Sequence, residues 1–542
     1  MWPNTKNTNN TNNTEKTDMN GQITRRRFLQ WTGAGTAATL LGKPLAGALA
    51  APKAARPNIV YILADDMGYG DVRCLNKDGK IATPNMDRLA ADGMAFTDAH
   101  SGSAVCTPTR YGILTGRYTW RTKLARGVLL GYSQHLIDPA RMTVASMLKA
   151  KGYHTGGIGK WHVGMDFATT DGKKAAGNGS NVDFTAPIAN SPKAVGFDYY
   201  YGISASLDMP PYVYIHNDRF VSVPTSTRTY IRKGLAAEDF HAIDVLPTLT
   251  AKAVEYIDQR AAAGPDKPFF LYMPLNAPHT PIAPTKEFQG ASGLNAYGDF
   301  VMQVDDTVGK VLAALDRHHL ADNTLVIMAS DNGCSPQANF EQLAEKGHDP
   351  SYVFRGHKAD IFEGGHRIPF IARWPGRVKP HSTCGQTICL TDLMATCAAI
   401  IGTKLPDNAG EDSVNLLPAL TSATSKPLRQ ATIHHSINGS FSIRQGKWKL
   451  ELCPGSGGWS KPKPRSQEAK QLPGVQLYDL EQDISERHNL QAENPEIVAR
   501  LTKLLQSYID KGRSTPGAPQ KNDREISITR PRPKAKASTK RQ

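Results

Sequence analysis

The sequence predicts an α/β fold: a large, mostly parallel sheet flanked by helices, with a smaller C-terminal antiparallel sheet plus helix. Three observations carry this expectation. Two short, continuous apolar runs, Pro57 to Ala64 and Thr324 to Ser330, end in Asp65-Asp66-Met67-Gly68 and in Asp331-Asn332-Gly333. Runs of that length without alternation mark strands buried on both faces. Between them, helical patterns at Asn85 to Gly93 and Met142 to Gly152 alternate with another strand run, Pro268 to Met273. Such alternation belongs to parallel sheets, whose ligands gather at the carboxyl ends of the strands, where both acidic clusters fall. From about residue 430 the texture changes to short strand-like pieces, Phe441 to Arg444, Trp448 to Leu452 and Leu477 to Leu480, before a helix from Pro495 to Ile509.

Taken in order, residues 1–50 read as a twin-arginine-type signal peptide. Arg25, Arg26 and Arg27 precede Phe28, a mild apolar stretch follows from Trp31 to Leu49, and Ala48-Leu49-Ala50 offers small residues for cleavage. Glycines, Lys43 and Pro44 make that stretch too polar for a membrane span, so the mature chain is expected to begin near Ala51, in the bacterial periplasm. No later segment approaches 18 consecutive apolar residues, so an integral membrane protein is not expected. Residues 51–429 are read as the main domain and residues 430–512 as the small one. Residues 513–542, rich in Pro, Lys and Arg with few apolar groups, are expected to be a basic, disordered tail.

The 542-residue chain carries a formal charge of +15, which raises the question of a nucleic-acid partner. The excess lies at the ends, with six basic residues against two acidic in 1–50 and nine against two in 513–542. What remains is close to neutral over some 460 residues, so a basic stripe on a folded face, and with it a nucleic-acid partner, is not expected. The seven cysteines (74, 106, 334, 384, 389, 397 and 453) form no C-x-x-C pair and no regular framework, which speaks against a zinc ribbon or a disulfide scaffold.

One cysteine matters for another reason. Ser103 to Arg110 contains C-x-P-x-R at Cys106, Pro108 and Arg110, followed at once by Leu114-Thr115-Gly116-Arg117. Alone, that pattern describes a free cysteine before a proline-started helix. Its weight comes from company in a fixed order: Gly152 to His162, then Asn276-Ala277-Pro278-His279-Thr280-Pro281, then Arg355-Gly356-His357-Lys358, then Glu363 to Pro369, and finally Leu477 to Leu480 with Asp483, Glu486 and Asn489-Leu490. Over about residues 56–510 these motifs resemble the formylglycine-dependent sulfatases of the alkaline-phosphatase-like superfamily. The resemblance implies that Cys106 is converted to Cα-formylglycine, an aldehyde whose hydrate is the nucleophile. Thr109 stands where the family usually has serine, and the hydroxyl is kept.

The residue types suit that chemistry. A sulfate monoester is a stable anion, and its oxygens need cations around them before a nucleophile can approach. Asp65, Asp66, Asp331 and Asn332 offer oxygen donors, with residue 106 and sulfate completing the shell, and oxygen-only ligation favours calcium or magnesium over zinc. The resemblance implies calcium. By the same carry-over, Arg110 stands beside the nucleophile and metal ligands, and Lys160 and Lys358 reach the sulfate. His279 gives a proton to the departing alcohol, and His162 is the base that lets sulfate leave. Asp208, His434 and His435 are candidate substrate contacts.

The expected activity is sulfate monoester hydrolysis, exo-acting on a sulfated carbohydrate such as a 6-sulfated galactose or N-acetylgalactosamine. The other expected partners are the formylglycine-generating machinery and the twin-arginine export machinery. Two alternatives stay open: a phosphonate or phosphate monoester hydrolase of the same superfamily, and a sulfated-glycan-binding protein without activity. The latter would be expected to lack Cys106, His162 or His279, and this chain has all three.

Overall fold

A computed structural model describes residues 56–528, apart from Pro265, Ala423 and Ser425. The signal sequence and its cleavage site lie outside the described residues. Strand β1 (Asn58–Asp65) sits inside a ten-stranded sheet, and every one of its residues is buried. Its side chains divide by parity, as a pleat with two covered faces requires. Ile59, Tyr61 and Leu63 enter one apolar core, and Val60, Ile62 and Ala64 enter the other. Each fully buried Val, Ile or Leu contributes about 1.5–3 kcal/mol, so a polar substitution on either face of β1 is costly.

The strands β2 (His154–Lys160), β3 (Phe269–Pro278) and β4 (Thr324–Ser330) complete the parallel centre. β1 pairs with β3 and with β4, and β3 pairs with β2, all in parallel. The register sets Asp65 opposite Pro278 and Ala64 opposite Ser330, so these strands end side by side. Beyond β4 the sheet turns antiparallel through Phe370–Arg373. Helix α1 (Cys106–Thr115) sends Tyr111, Ile113 and Leu114 into the first core. Helices α2 (Ala242–Ala262) and α3 (Ala296–Arg317) cover the opposite face, with Val245, Leu249, Val304 and Val308 in the second core. Asn295 fixes where α3 begins, because its side chain accepts the otherwise unpaired N–H groups of Tyr297 and Gly298.

The expected fold class is borne out, the small sheet included. Its strands, Thr432–His435, Phe441–Gln445, Trp448–Glu451 and Gln476–Asp479, pair antiparallel in chain order. Helix α4 (Pro495–Asp510) lays Leu501, Leu505, Tyr508 and Ile509 on Ile433, Ile443, Leu450 and Leu477. Tyr118 and Trp120, just past α1, enter that same core and tie the two sheets together.

The disordered tail expected from residue 513 is corrected for residues 513–528, which pack on the main body. Arg513 is buried, and Ser514 donates its N–H to Asp412 Oδ1. Arg117 donates to the Asp523 carboxylate, Arg121 to Asn522 Oδ1, and the Asp523 N–H to the Arg121 carbonyl. Ile526 joins the small core. Composition misled because polar contacts hold this segment, and their partners Arg117, Arg121 and Asp412 lie some hundred to four hundred residues away in sequence.

These contacts are unequal. Arg121 and Asp412 meet at 2.8 Å with both side chains fully buried, so Arg121→Ala strands a buried carboxylate and is expected to cost about 3–5 kcal/mol. The Asp523 carboxylate is 51% exposed, and Asp523→Ala is expected to cost less than about 1 kcal/mol. Denaturant titration of the two variants checks the order; a larger loss in Asp523→Ala contradicts it.

Candidate active site

Because the four parallel strands end together, their next residues converge. β1 delivers Asp65-Asp66, β2 delivers Lys160 and then His162, β3 runs into His279, and β4 into Asp331-Asn332, all toward the N-terminal end of α1 at Cys106. Asp66 and His162 hold φ of 67° and 58°, a left-handed backbone that is uncommon outside glycine and recurs at functional sites. The turn after β4 leaves no room for a side chain, since a Cβ on Gly333 would lie 1.9 Å from the Gly364 carbonyl oxygen.

Cys106 is 3% exposed, and burial pushes its thiol up, so the unmodified residue is a neutral, poor nucleophile. Thr109 donates its hydroxyl to the Ser103 carbonyl at 3.0 Å, bracing the loop before α1 as a serine hydroxyl would. Arg110 places Nε and Nη2 on Asp331 Oδ2 at 3.0 and 2.8 Å, and Nη1 on the Lys160 carbonyl. Lys160 Nζ lies 2.7 Å from Asp65 Oδ2, and Lys358 Nζ lies 2.6 Å from Asp66 Oδ2. Burial disfavours the Lys358 charge, but Asp66 outweighs it and keeps the ammonium protonated.

The two histidines are held differently. His162 donates Nε2–H to the Leu129 carbonyl at 2.8 Å, which leaves Nδ1 buried and without a hydrogen-bond partner. Burial, together with Lys160 and Arg110, holds this imidazole well below its ordinary range, so it rests neutral. His279 donates Nδ1–H to the Thr280 carbonyl at 2.6 Å, and its Nε2 lies 3.5 Å from Asp66 Oδ2. Burial and Lys358 lower its pKa as well.

The oxygens are arranged for a cation. Asp65 Oδ1, which has Arg110 Nη2 at 3.6 Å, and Asn332 Oδ1 are buried without a hydrogen bond, an arrangement that costs free energy. Donor atoms of Asp65, Cys106 and Asp331 lie within 4.8 Å of one another. Burial and the Asp65 charge push Asp331 up to about 6. For Asp65, burial acts in the same upward direction, but Lys160, His279 and Arg110 prevail and hold it well below the usual carboxylate range. A hard divalent cation among these oxygens relieves that repulsion and satisfies the orphaned acceptors, so the donor set fits one.

The structure thus brings together Asp65, Asp66, Cys106, Arg110, Lys160, His162, His279, Asp331, Asn332 and Lys358. His434 is fully buried, its ring stacks on His366 at 3.8 Å, and its Nδ1 meets Ser442. It belongs, with His100 and His366, to a buried histidine group. His435 packs its ring on Phe441, and its carbonyl accepts from Ala104 and Ser103, bracing the loop before Cys106. Asp208 is 6% exposed, and its carboxylate pairs with Arg232. Sequence reasoning missed Ser206, whose hydroxyl lies 3.3 Å from both Lys160 Nζ and the His279 ring. Nothing in its local spacing sets it apart from Ser204, and only the topology brings it to the site.

The family model for sulfatases matches residues 57–403. A second model, for the twin-arginine translocation signal, matches residues 22–42, so the chain carries an export signal that directs it to the periplasm. Among the described residues no helix is long and apolar enough to cross a membrane. The chain is 34% identical over 498 residues to an N-acetylgalactosamine-6-O-sulfatase of Bacteroides thetaiotaomicron, covering 83% of this chain and 93% of the relative. It is 32% identical over 478 residues to arylsulfatase A of Homo sapiens, covering 84% and 88%. A solved structure of a Bacteroides thetaiotaomicron sulfatase, concerned with the metabolism of multiple glycosaminoglycans, aligns with a TM-score of 0.73 at 33% identity over 83% of this chain and 99% of that one. On the extent of these matches, and with its motif residues gathered into one buried site, the chain belongs to the sulfatase family and is a hydrolase of sulfate esters.

Proposed function

We propose that this sulfatase acts from the chain end on a sulfated glycan and removes a 6-O-sulfate from galactose or N-acetylgalactosamine, with residue 106 as formylglycine and calcium held by Asp65, Asp66, Asp331 and Asn332. The observation that carries the reading is Cys106, buried at the start of α1 within 4.8 Å of Asp65 and Asp331 donor atoms. The relative at 34% identity, an N-acetylgalactosamine-6-O-sulfatase, supports the choice of sugar and position. Asp208 is the sugar contact in this reading.

Converted to formylglycine, residue 106 supplies an aldehyde hydrate with one hydroxyl to attack sulfur and a second whose deprotonation expels sulfate. Bound calcium supplies positive charge against the sulfate oxygens. The chain's own groups do the rest. Lys160 and Lys358, both buried, set ammonium charges at the anion, where a low dielectric makes such charges act strongly. Arg110 clamps Asp331 and the Lys160 carbonyl, so the ligand and the lysine move little. Ser206 joins Lys160 to His279 and fixes their separation. His279, oriented through Nδ1–H, protonates the leaving alcohol oxygen; the incoming anion offsets the burial that disfavours its charge. His162, oriented through Nε2–H, keeps Nδ1 as the base. With Cys106 only 3% exposed, the machinery that converts it acts before folding, and export of folded chains lets conversion and metal binding finish first.

Sulfate release from N-acetylgalactosamine 6-sulfate, with the 4-sulfate isomer in parallel, tests the substrate. Release from the 6-sulfate at a rate at least about tenfold higher is expected, a difference of about 1.4 kcal/mol in transition-state binding; preference for the 4-sulfate contradicts the reading. Loss of the general acid tests the mechanism. His279→Ala is expected to slow turnover of the sugar sulfate by about 100- to 10,000-fold, and of nitrophenyl sulfate far less, because a phenolate leaves without a proton. Equal losses on both substrates contradict the role of His279.

A further inference from the structure

The segment that carries Asp208 is wedged between the groups that hold the two histidines. On one side, two residues upstream, Ser206 contacts Lys160 and His279. On the other, a Cβ on Gly131 would lie 1.7 Å from the Pro210 carbonyl oxygen, so this segment lies directly on loop 129–131. That loop accepts the His162 Nε2–H at the Leu129 carbonyl and donates the Leu129 N–H to Thr107, the residue after Cys106. Asp208 therefore stands close to the groups that hold both histidines.

A hairpin, Ser226–Tyr230 with Arg232–Ala236, is pinned against this segment. A Cβ on Gly234 would lie 2.2 Å from the Pro210 Cβ, and the Tyr212 hydroxyl reaches the carbonyls of both Asp208 and Arg232. From residue 226 to 237 the hairpin has no acidic residue, while Arg228, Arg232 and Lys233 are basic. Arg232 is 46% exposed and pairs through Nη1 alone with Asp208 Oδ2, and no other side-chain partner of Arg232 occurs among the described residues. Asp208 Oδ1 is buried and accepts no hydrogen bond.

Stability does not account for this pair. An ion pair with one partner half exposed contributes at most about 1 kcal/mol, and burying a carboxylate with one oxygen unpaired works against it. What the pair achieves is orientation: Asp208 fixes one edge of a planar fork and leaves the remaining N–H groups for a second anion, which guanidinium recognises in two-point fashion.

We propose that Arg232 is the anion-binding residue of a second subsite, which takes a carboxylate or sulfate on the sugar next to the one being desulfated. The substrate is then a polyanionic glycan in which a charged sugar adjoins the 6-sulfated one. This rests on the reading of a sulfated glycan as substrate.

Calorimetric titration of full-length, calcium-loaded protein carrying Cys106→Ala tests it without turnover. Three disaccharides are compared, each ending in 6-sulfated N-acetylgalactosamine: one with a neighbouring uronic acid, one with that carboxylate reduced to the alcohol, and one with a second sulfate in place of the carboxylate. With Arg232 present, reducing the carboxylate is expected to weaken binding by about tenfold or more, as for a lost charge-assisted hydrogen bond. With Arg232→Gln added, the acid and the alcohol are expected to bind within about twofold of each other, and Arg232→Lys to fall between. If the disulfated compound matches the acid, the subsite reads charge; if it matches the alcohol, the subsite reads carboxylate. Equal binding of acid and alcohol to the Arg232 protein, a preference that survives Arg232→Gln, or no binding of either overturns the proposal. Failure of the substrate reading shows separately, as absent sulfate release from the 6-sulfated monosaccharide by the unmutated enzyme.

Discussion

Three buried carboxylates at the strand ends are each hydrogen-bonded to a buried cation, Asp65 to Lys160, Asp66 to Lys358 and Asp331 to Arg110, and Arg110 also lies 3.6 Å from Asp65. Unpaired, any of these charges would cost several kcal/mol to bury, so the fold depends on this matching. In the proposed function, a divalent cation bound by these carboxylates would leave Lys160 and Lys358 free for the sulfate. Arg110 differs, since its two-point grip on Asp331 and its hold on the Lys160 carbonyl suit a fixed brace.

The parallel sheet makes the matching possible. Its central strands are covered on both faces, so only their ends are free to carry polar groups, and four of those ends are adjacent. The small sheet supports the arrangement from below. Lys449, buried in it, lies 3.1 Å from Glu363 and 2.6 Å from Glu486. Glu486 in turn accepts the Glu363 N–H, at the start of the Glu363-Gly364-Gly365 turn. That turn accepts the Gly333 N–H at the Gly365 carbonyl and so sets the position of Asp331-Asn332. The C-terminal motif residues thus reach the site through a chain of contacts.

Where a signal is local, the sequence was readable. Asp65 and Asp331 end apolar runs, and Cys106, Lys160, His279 and Lys358 lie in motifs whose order carries the information. Where the signal depends on distant partners it was not. His434 reads as a candidate substrate contact, yet His366 and His100 come from elsewhere in the chain to pack against it. Residues 513–528 read as tail because their acceptors and donors are far upstream. Ser206 and Arg232 have ordinary neighbours, and their placement follows only from where the 204–212 segment and the hairpin pack.

The central claim is that the oxygens at the strand ends form one metal site on which sulfate hydrolysis depends. Metal analysis of the exported enzyme and its Asp331→Ala variant, read alongside sulfate release, tests this most directly. The account predicts one calcium per chain in the enzyme, and loss of both calcium and sulfate release in the variant. A full equivalent of calcium retained by Asp331→Ala would contradict it.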